Sequence, residues 1–337
     1  MTLSVKAELF LPREHTGKYA GTHAAFLPAS DPSPMPTSPT IDAVYTWVDG
    51  TSPEYLETVR RYSATPRDLN PERFRDSFDL LRHSLRSLER HAPWLRRVYL
   101  FTCRPQIPRW LRSDHPRLRI VHHDEVGAPP FTLPTFNSNI IETLLHRLPG
   151  LSEHFLYFND DYLLGAPITP DDFYTPDGRM KICGTLIGER FRSRVYEYQT
   201  LTFGLLEHAP RLIDRTLWAA MQTTSPAPFA NPELHRFRSP ADVRPERFYN
   251  WHALTHARDR VAVEPFWRFL RYSAFVKITR DLPRFERASA RLLRSPRKFI
   301  CLNDDQRADP NPAVIAATRN FLATLYPAPS TFERADA

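Results

Sequence analysis

The sequence predicts an α/β fold with a mostly parallel sheet, completed by a largely helical C-terminal half. Between residues 41 and 165, short apolar runs rich in β-branched and aromatic residues alternate with amphipathic helical stripes. Beyond about residue 165 the apolar spacing turns mainly helical. The 337 residues, 42% hydrophobic and 25% charged, suffice for one large or two modest domains with a substantial core.

Residues 1–40 read as an extension, ending in a linker where Pro28, Pro32, Pro34, Pro36 and Pro39 alternate with small residues and forbid a regular element. Part of 3–12 can still pair as an edge strand. The run IDAVYTWVDG at 41–50 predicts a buried strand closing in an Asp-Gly turn. Phe78, Leu81, Leu85 and Leu88 fall at helical spacing, with Arg82, Arg86 and Glu89 outside the stripe. Strands are expected at Val98–Thr102, Leu118–His122 and Phe155–Asp160. Between the last two, Ile140, Ile141, Leu144, Leu145 and Leu148 mark a helix stopped by Pro149-Gly150. The organisation that follows is an α/β core over 41–165 and a largely helical part over 166–325, with helices at 208–222, 245–257, 281–294 and 311–325. A strand at 297–305 returns to the core, and 326–337 is a tail.

No stretch approaches the roughly 18 apolar residues of a membrane helix. Lys6 and Glu8 interrupt the first apolar run, and Pro12, Arg13 and Glu14 stop it, so no signal peptide is expected and the cytoplasm is the default compartment. Cys103, Cys183 and Cys301 are odd in number and widely spaced, which fits free thiols better than a disulfide or zinc framework. The net charge of +7 comes almost wholly from Arg, interspersed with other residues, as in ERFRSR at 189–194, and not gathered into a tail. No nucleic-acid motif accompanies it. Such a surface suits phosphate, an anionic polysaccharide or an anionic membrane face equally well.

Four constellations point to chemistry. In open α/β sheets ligands bind at the carboxyl ends of strands. The strand FLYF at 155–158 runs straight into Asn159, Asp160 and Asp161, a pairing of carboxylates suited to Mg²⁺ or Mn²⁺ against a diphosphate. A capped turn is the plainer alternative. Asn137, Ser138 and Asn139 lead into a helix that carries Glu142 in its first turn. They can cap that helix, or offer a phosphate or sugar its N-terminus. His208, before Pro210, is a candidate base, and Arg238 a candidate phosphate clamp, against a surface His and a solvated basic turn. Finally RKFICLNDD at 297–305 again ends an apolar strand in Asn303, Asp304 and Asp305. Acids, an imidazole and guanidinium groups together fit phosphoryl transfer, which is mostly positioning and charge neutralisation.

These blocks resemble, in order, the conserved regions of the Stealth family, which includes bacterial capsule and exopolysaccharide phosphotransferases and the animal N-acetylglucosamine-1-phosphotransferase. The matching strings are IDAVYTWVDG at 41–50, LRHSLRSLERHAPWLRRVYLFT at 81–102, IPRWL at 107–111 and LPTFNSNIIETLLHRLPGLSEHFLYFNDD at 133–161. His208, the stretch 235–242 and RKFICLNDD at 297–305 complete the set. The resemblance implies a glycosyltransferase-A-like core that binds a nucleotide sugar over 41–165. Its implied reaction moves hexose-1-phosphate, or N-acetylhexosamine-1-phosphate, from a UDP-sugar to a hydroxyl of a polysaccharide or oligosaccharide and releases UMP. It implies Asp161, His208, Glu142 and Arg238 as catalytic residues. Asp42, Trp47, Arg82, Asn137 and Asn303 would bind substrate or keep the pocket intact. A divalent metal, Mg²⁺ or Mn²⁺, would sit near Asp160 and Asp304.

His83 stands where the family commonly has Tyr, and Asn139 where it often has His. The large inserted modules of the animal enzyme are missing from this sequence, which favours a glycan over a protein acceptor. Nucleic acid is not expected as a partner, while peripheral contact with the inner face of the cytoplasmic membrane is compatible with the basic surface. The competing readings are a sugar transferase that releases UDP and a non-catalytic member that keeps the fold.

Overall fold

The computed structural model describes residues 40–63, 75–127, 133–183, 208–226, 229, 236–239, 242–264 and 266–335, with backbone alone at 185–186, 201–202 and 266. The expected extension and linker over 1–39, and His235, lie outside the described residues.

The first strand, β1 (Ile41–Thr46), is buried on both faces, as its Ile, Ala, Val and Tyr require, with Asp42 the one charged residue among them. Helix α1 (Pro53–Tyr62) follows, with Ser52 as N-cap and Pro53 pre-set for the first turn. Helix α2 (Leu80–His91) turns Leu81, Leu85 and Leu88 inward, as their spacing predicts. Strands β2 (Val98–Thr102) and β3 (Leu118–His122) come next, then the short helices α3 (His123–Val126) and α4 (Ser138–Thr143). The helix expected over 140–148 is therefore split: after α4 the chain tightens into a 3₁₀ turn at Leu145–Arg147. Strand β4 (His154–Asn159) leads through a turn at Asp160 and Asp161 into β5 (Tyr162–Leu164).

Further along lie β6 (Met180–Ile182), the antiparallel pair β7 (Thr185–Leu186) and β8 (Leu201–Thr202), and β9 (Arg211–Asp214). The helix predicted at 208–222 begins only at Arg215, because residues 211–214 pair antiparallel with β4. Asp214 makes the switch: its Oδ1 accepts a 2.8 Å bond from the Leu217 N–H and caps α5 (Arg215–Thr224). The remaining elements are α6 (Pro245–His256), β10 (Val261–Val263), α7 (Phe266–Tyr272), β11 (Ser273–Ile278), α8 (Leu282–Arg294), β12 (Phe299–Asp304) and α9 (Pro312–Leu325).

The main sheet has the order β3-β2-β1-β4-β9, parallel except for β9. This is the α/β class with a mostly parallel sheet that the alternating pattern predicts. The chain goes outward from β1 to β2 and β3, then returns to place β4 on the other side of β1. Connections reverse between β1 and β4, and a crevice opens at their carboxyl ends. A second sheet, β11-β12-β5, is joined to the first through the Asp160–Asp161 turn. The Leu302 N–H donates to the Asp161 carbonyl at 3.0 Å, so the carboxyl ends of β4 and β12 meet.

Tyr45 and Phe158 stack at 4.9 Å between ring centroids in the middle of the main sheet. Full burial of such side chains stabilises the fold by roughly 1.5–3 kcal/mol each. Residues 326–335, read from sequence as a tail, are instead packed against α2. Phe332 is fully buried, and Glu333 accepts paired bonds of 2.7 Å from Arg86 and one of 2.5 Å from Arg82. Burial alone would raise the Glu333 pKa, but bonds from Arg86, the Ser330 N–H and Arg82 outweigh it and hold it at about 2. Among the described residues, no helix is long and apolar enough to cross a membrane.

Candidate active site

The crevice between β1 and β4 is the mouth of a cleft of about 380 Å³. The carboxyl end of β1 supplies Thr46, Trp47 and Val48; that of β4 supplies Asn159, Asp160 and Asp161; that of β12 supplies Asn303, Asp304 and Asp305. The start of α4 contributes Ser138, Ile141 and Glu142, while His208 and Arg238 arrive on separate loops. Eight sequence-predicted residues thus share one cleft: Trp47, Glu142, Asp160, Asp161, His208, Arg238, Asn303 and Asp304.

Asp161 holds the centre of the acidic floor. Its Oδ2 accepts a hydrogen bond from the Cys301 thiol at 3.2 Å, while its Oδ1 is buried with no partner among the described residues. Burial raises the Asp161 pKa, against the opposing pull of His208 and of hydrogen bonds from Cys301 and Asn303. Asp160 is pushed well above the ordinary carboxylate range, first by burial and then by the charges of Asp161 and Asp76. Two adjacent carboxyls that resist ionisation together are the expected result of like charges in a confined site. The His208 ring lies 4.8 Å from that of Phe275 and 6.5 Å, edge-on, from that of Tyr162.

On the opposite side, Glu142 has a pKa raised to about 8. Burial is the main cause, followed by the charge of Glu246; Arg238 and Arg211 pull the other way. At neutral pH this carboxyl is mostly protonated and is a hydrogen-bond donor. It adjoins a chain of polar groups: the Tyr157 hydroxyl bonds Asn159 Oδ1 at 2.8 Å and Thr46 Oγ1 at 2.9 Å. Arg238 is exposed, and its Nε donates to Ser138 Oγ at 3.0 Å, so its guanidinium stands at the rim of the cleft beside the α4 N-terminus. An aromatic wall completes the site. Phe136 stacks on Phe237 at 4.9 Å and meets Tyr55 edge-on at 5.6 Å.

Divalent-cation chemistry fits part of this donor set. Asp160 and the unpartnered Oδ1 of Asp161 are hard oxygen donors whose mutual repulsion a cation would relieve. Asp304, expected beside them as a ligand, is already engaged: Arg75 Nε donates to its Oδ2 at 2.6 Å and the Gln306 N–H to its Oδ1 at 3.0 Å. A second possible donor set is Asp161, His208 and Cys301, with one ligand atom from each within 4.8 Å of the others.

Three predicted substrate-binding residues do not line the cleft. Asp42 is fully buried at the opposite end of β1, where its carboxylate accepts bonds from Arg96 at 2.8 and 2.5 Å and from the Ser152 N–H at 2.9 Å. It ties the start of β1 to the approach of β4. Arg82 binds Glu333 and lies 5.8 Å above the Trp110 ring. Asn137, fully buried, caps α4 through its Oδ1 and donates from Nδ2 to Asp242 Oδ2 at 2.8 Å. That bond anchors the loop carrying Arg238, so Asn137 acts on the cleft from behind it.

Sequence reasoning missed Arg75, Asp76 and the Tyr55–Phe136–Phe237 wall. Arg75 and Asp76 precede the α2 stripe in no recognisable pattern, and only the return of β12 from 229 residues away in sequence gives Arg75 its partner. Cys301 sits inside a string already singled out for its acids, and its position two residues before Asn303 was the available signal.

Comparison with known proteins matches residues 39–66 to Stealth protein conserved region 1, 73–182 to conserved region 2 and 290–337 to conserved region 4. Exopolysaccharide phosphotransferase SCO6023 of Streptomyces coelicolor is 37% identical over 319 residues, covering 87% of this chain and 52% of the relative. Exopolysaccharide phosphotransferase CpsY of Mycobacterium tuberculosis is 31% identical over 324 residues, covering 87% and 58%. The chain therefore spans little more than half the length of these relatives. Among solved structures, the galactosyltransferase LgtC in complex with donor and acceptor sugar analogues aligns with a TM-score of 0.45 at 12% identity, over 86% of this chain and 97% of that one.

Proposed function

The chain belongs to the Stealth family, and on that premise we propose that it is an exopolysaccharide phosphotransferase acting at this cleft. The donor is a UDP-sugar and the acceptor a glycan hydroxyl. Hexose-1-phosphate or N-acetylhexosamine-1-phosphate is transferred, a phosphodiester forms, and UMP leaves. The observation that supports this reading best is convergence. Asp161, His208, Arg238 and Asn303 come from four separate stretches of chain, yet all line one cleft at the switch point of the sheet.

Each group has work that its position suits. The aromatic wall offers the uracil ring a stacking surface. Arg238, at the rim of the cleft, faces the charge of the diphosphate. His208 takes the proton of the acceptor hydroxyl as its oxygen bonds to the β-phosphorus, and Asp161 holds the imidazolium that results. The bond from the β-phosphorus to the bridging oxygen breaks, and that oxygen departs with UMP. Glu142, protonated at neutral pH, donates a hydrogen bond to a phosphoryl or sugar oxygen. A divalent cation held by Asp160 and Asp161 would supply charge neutralisation at the diphosphate. Stabilisation of developing charge by fixed donors of this kind is worth about 10²–10³ in rate per donor.

The test is to incubate the purified protein with a panel of UDP-sugars and an oligosaccharide acceptor, and to follow phosphorus by NMR. A new phosphodiester resonance with equimolar UMP is expected. Transfer of sugar with UDP as the released nucleotide contradicts the proposal.

A further inference from the structure

Helix α8 carries Arg284, Arg287, Arg291 and Arg294, at successive spacings of three, four and three residues. At 100° per residue these positions occupy an arc of about 80°. All four side chains are exposed, and none has an ion-pair partner among the described residues. Away from that arc, Phe285 and Leu292 are buried in the second core. Glu286 is the only acid on the helix.

A solvated surface helix usually intersperses acids at i±4, so that charges offset one another. Here Arg284–Arg287, Arg287–Arg291 and Arg291–Arg294 are three successive like-charge neighbours, each mildly unfavourable. Arg284 in the first turn also opposes the helix dipole. An arrangement that repels itself in the free protein is relieved by an anion laid along it. Arg287, Arg291 and Arg294, with Pro283, Glu286 and Ala290, border a shallow depression of about 460 Å³ along the helix.

The position of the stripe says which anion. Helix α8 begins four residues after Ile278, the last residue of β11, and Ile278 pairs with Asp304 at the end of β12. Because β11 and β12 are parallel, the helix linking them starts at the cleft edge of the sheet and runs back toward the far edge. From Arg284 to Arg294 it spans about 15 Å. If hexose-1-phosphate is transferred, every repeat added leaves one phosphodiester charge on the product. We infer that the outer face of α8 is a track for the polyanionic glycan, holding the phosphodiester-linked chain as it leaves or re-enters the cleft. This rests on the proposed transferase reading. An anionic membrane is the less suitable occupant, because an interfacial helix needs a broad exposed apolar face, whereas on α8 Phe285 and Leu292 are buried and Leu293 is the one large apolar side chain that is exposed.

The experiment uses the full chain with no donor present. Fluorescein-labelled dextran sulfate is titrated and followed by anisotropy at increasing salt, with neutral dextran and phosphatidylglycerol–phosphatidylcholine vesicles in parallel. Dextran sulfate should bind and neutral dextran should not. Affinity should fall steeply with salt. The double variant Arg287→Glu/Arg291→Glu, whose circular dichroism must match wild type, should bind about tenfold or more weakly. In a separate turnover assay, with UDP-sugar supplied, the variant should transfer to a monosaccharide acceptor at the wild-type rate but make shorter polymer. Undiminished dextran sulfate binding by the variant overturns the inference. So do binding to vesicles but not dextran sulfate, and binding to neither. Because this assay contains no UDP-sugar, a failure to detect phosphodiester synthesis with the wild type would be a separate result, bearing on the transferase reading and not on the stripe.

Discussion

Replacing Glu142 with glutamine removes a carboxyl that the fold holds protonated at a cost. The folded-state pKa of about 8 lies above the ordinary value of 4.5. Below pH 4.5 the group is protonated in both folded and unfolded chains, and it imposes no penalty. As pH rises, the unfolded chain ionises while the folded one does not, so stability drains away until the pH passes the folded pKa. At about 1.4 kcal/mol per pH unit, the displacement amounts to about 5 kcal/mol in full and about 3 kcal/mol at pH 7. Glutamine keeps the shape and a hydrogen-bond donor but never ionises. Urea denaturation followed by circular dichroism from pH 4.5 to 8.5 should therefore give matching stabilities for the two proteins at the acid end. The variant should gain steadily toward about 3 kcal/mol at pH 7. In turnover, an alkaline decline of the wild type near pH 8 should be missing from Glu142→Gln. A constant difference in stability across the whole range would refute the reasoning, since it would mean that Glu142 ionises as readily folded as unfolded.

Other outcomes follow from the same geometry. Arg238→Ala should lower kcat by about 10²-fold or more with an unchanged melting temperature, because the side chain is exposed and its proposed work is on the phosphoryl group. Asp42→Asn should behave in the reverse manner. Residue 42 stands about 13 Å along β1 from the cleft, so stability should fall by about 2 kcal/mol while KM for the donor stays put, as paired urea and kinetic measurements will show. Arg96 is 37% exposed on its side chain, which keeps that cost below the value for a fully buried pair. His208→Gln should bind UDP-sugar, by calorimetry, with near wild-type affinity and yet turn over about 10²-fold or more slowly. Chelation should abolish activity, with Mg²⁺ or Mn²⁺ restoring it. In a thermal-shift assay, wild type but not Asp160→Asn should rise in melting temperature with the added metal.

Strands β1, β2 and β4 were legible in sequence because they are buried on both faces and announce themselves as largely apolar runs. Strand β9 was not. Its Leu212–Ile213 pair merges with the apolar spacing of α5, and only pairing with β4 makes residues 211–214 extended. Strand β11 was missed for a related reason: its side chains are mostly half-buried, so no clear period sets it apart from α7 before it. In the site, the two Asn-Asp-Asp endings were legible because polar residues at the end of an apolar strand cannot be core. What the sequence does not carry is direction. Asp42 and Asp160 are both acids on apolar strands, yet one opens its strand and is neutralised by Arg96 while the other follows a strand's end in the cleft. Arg75 is silent until the chain brings Asp304 to it.

The most direct test of the central claim is a crystal structure of the protein with a non-hydrolysable UDP-sugar analogue. The claim requires the diphosphate to lie in the cleft between β1, β4 and β12, with Arg238 and Asn303 within hydrogen-bonding distance and Asp161 and His208 facing the β-phosphorus. A diphosphate bound elsewhere on the molecule, with those four side chains untouched, would contradict it.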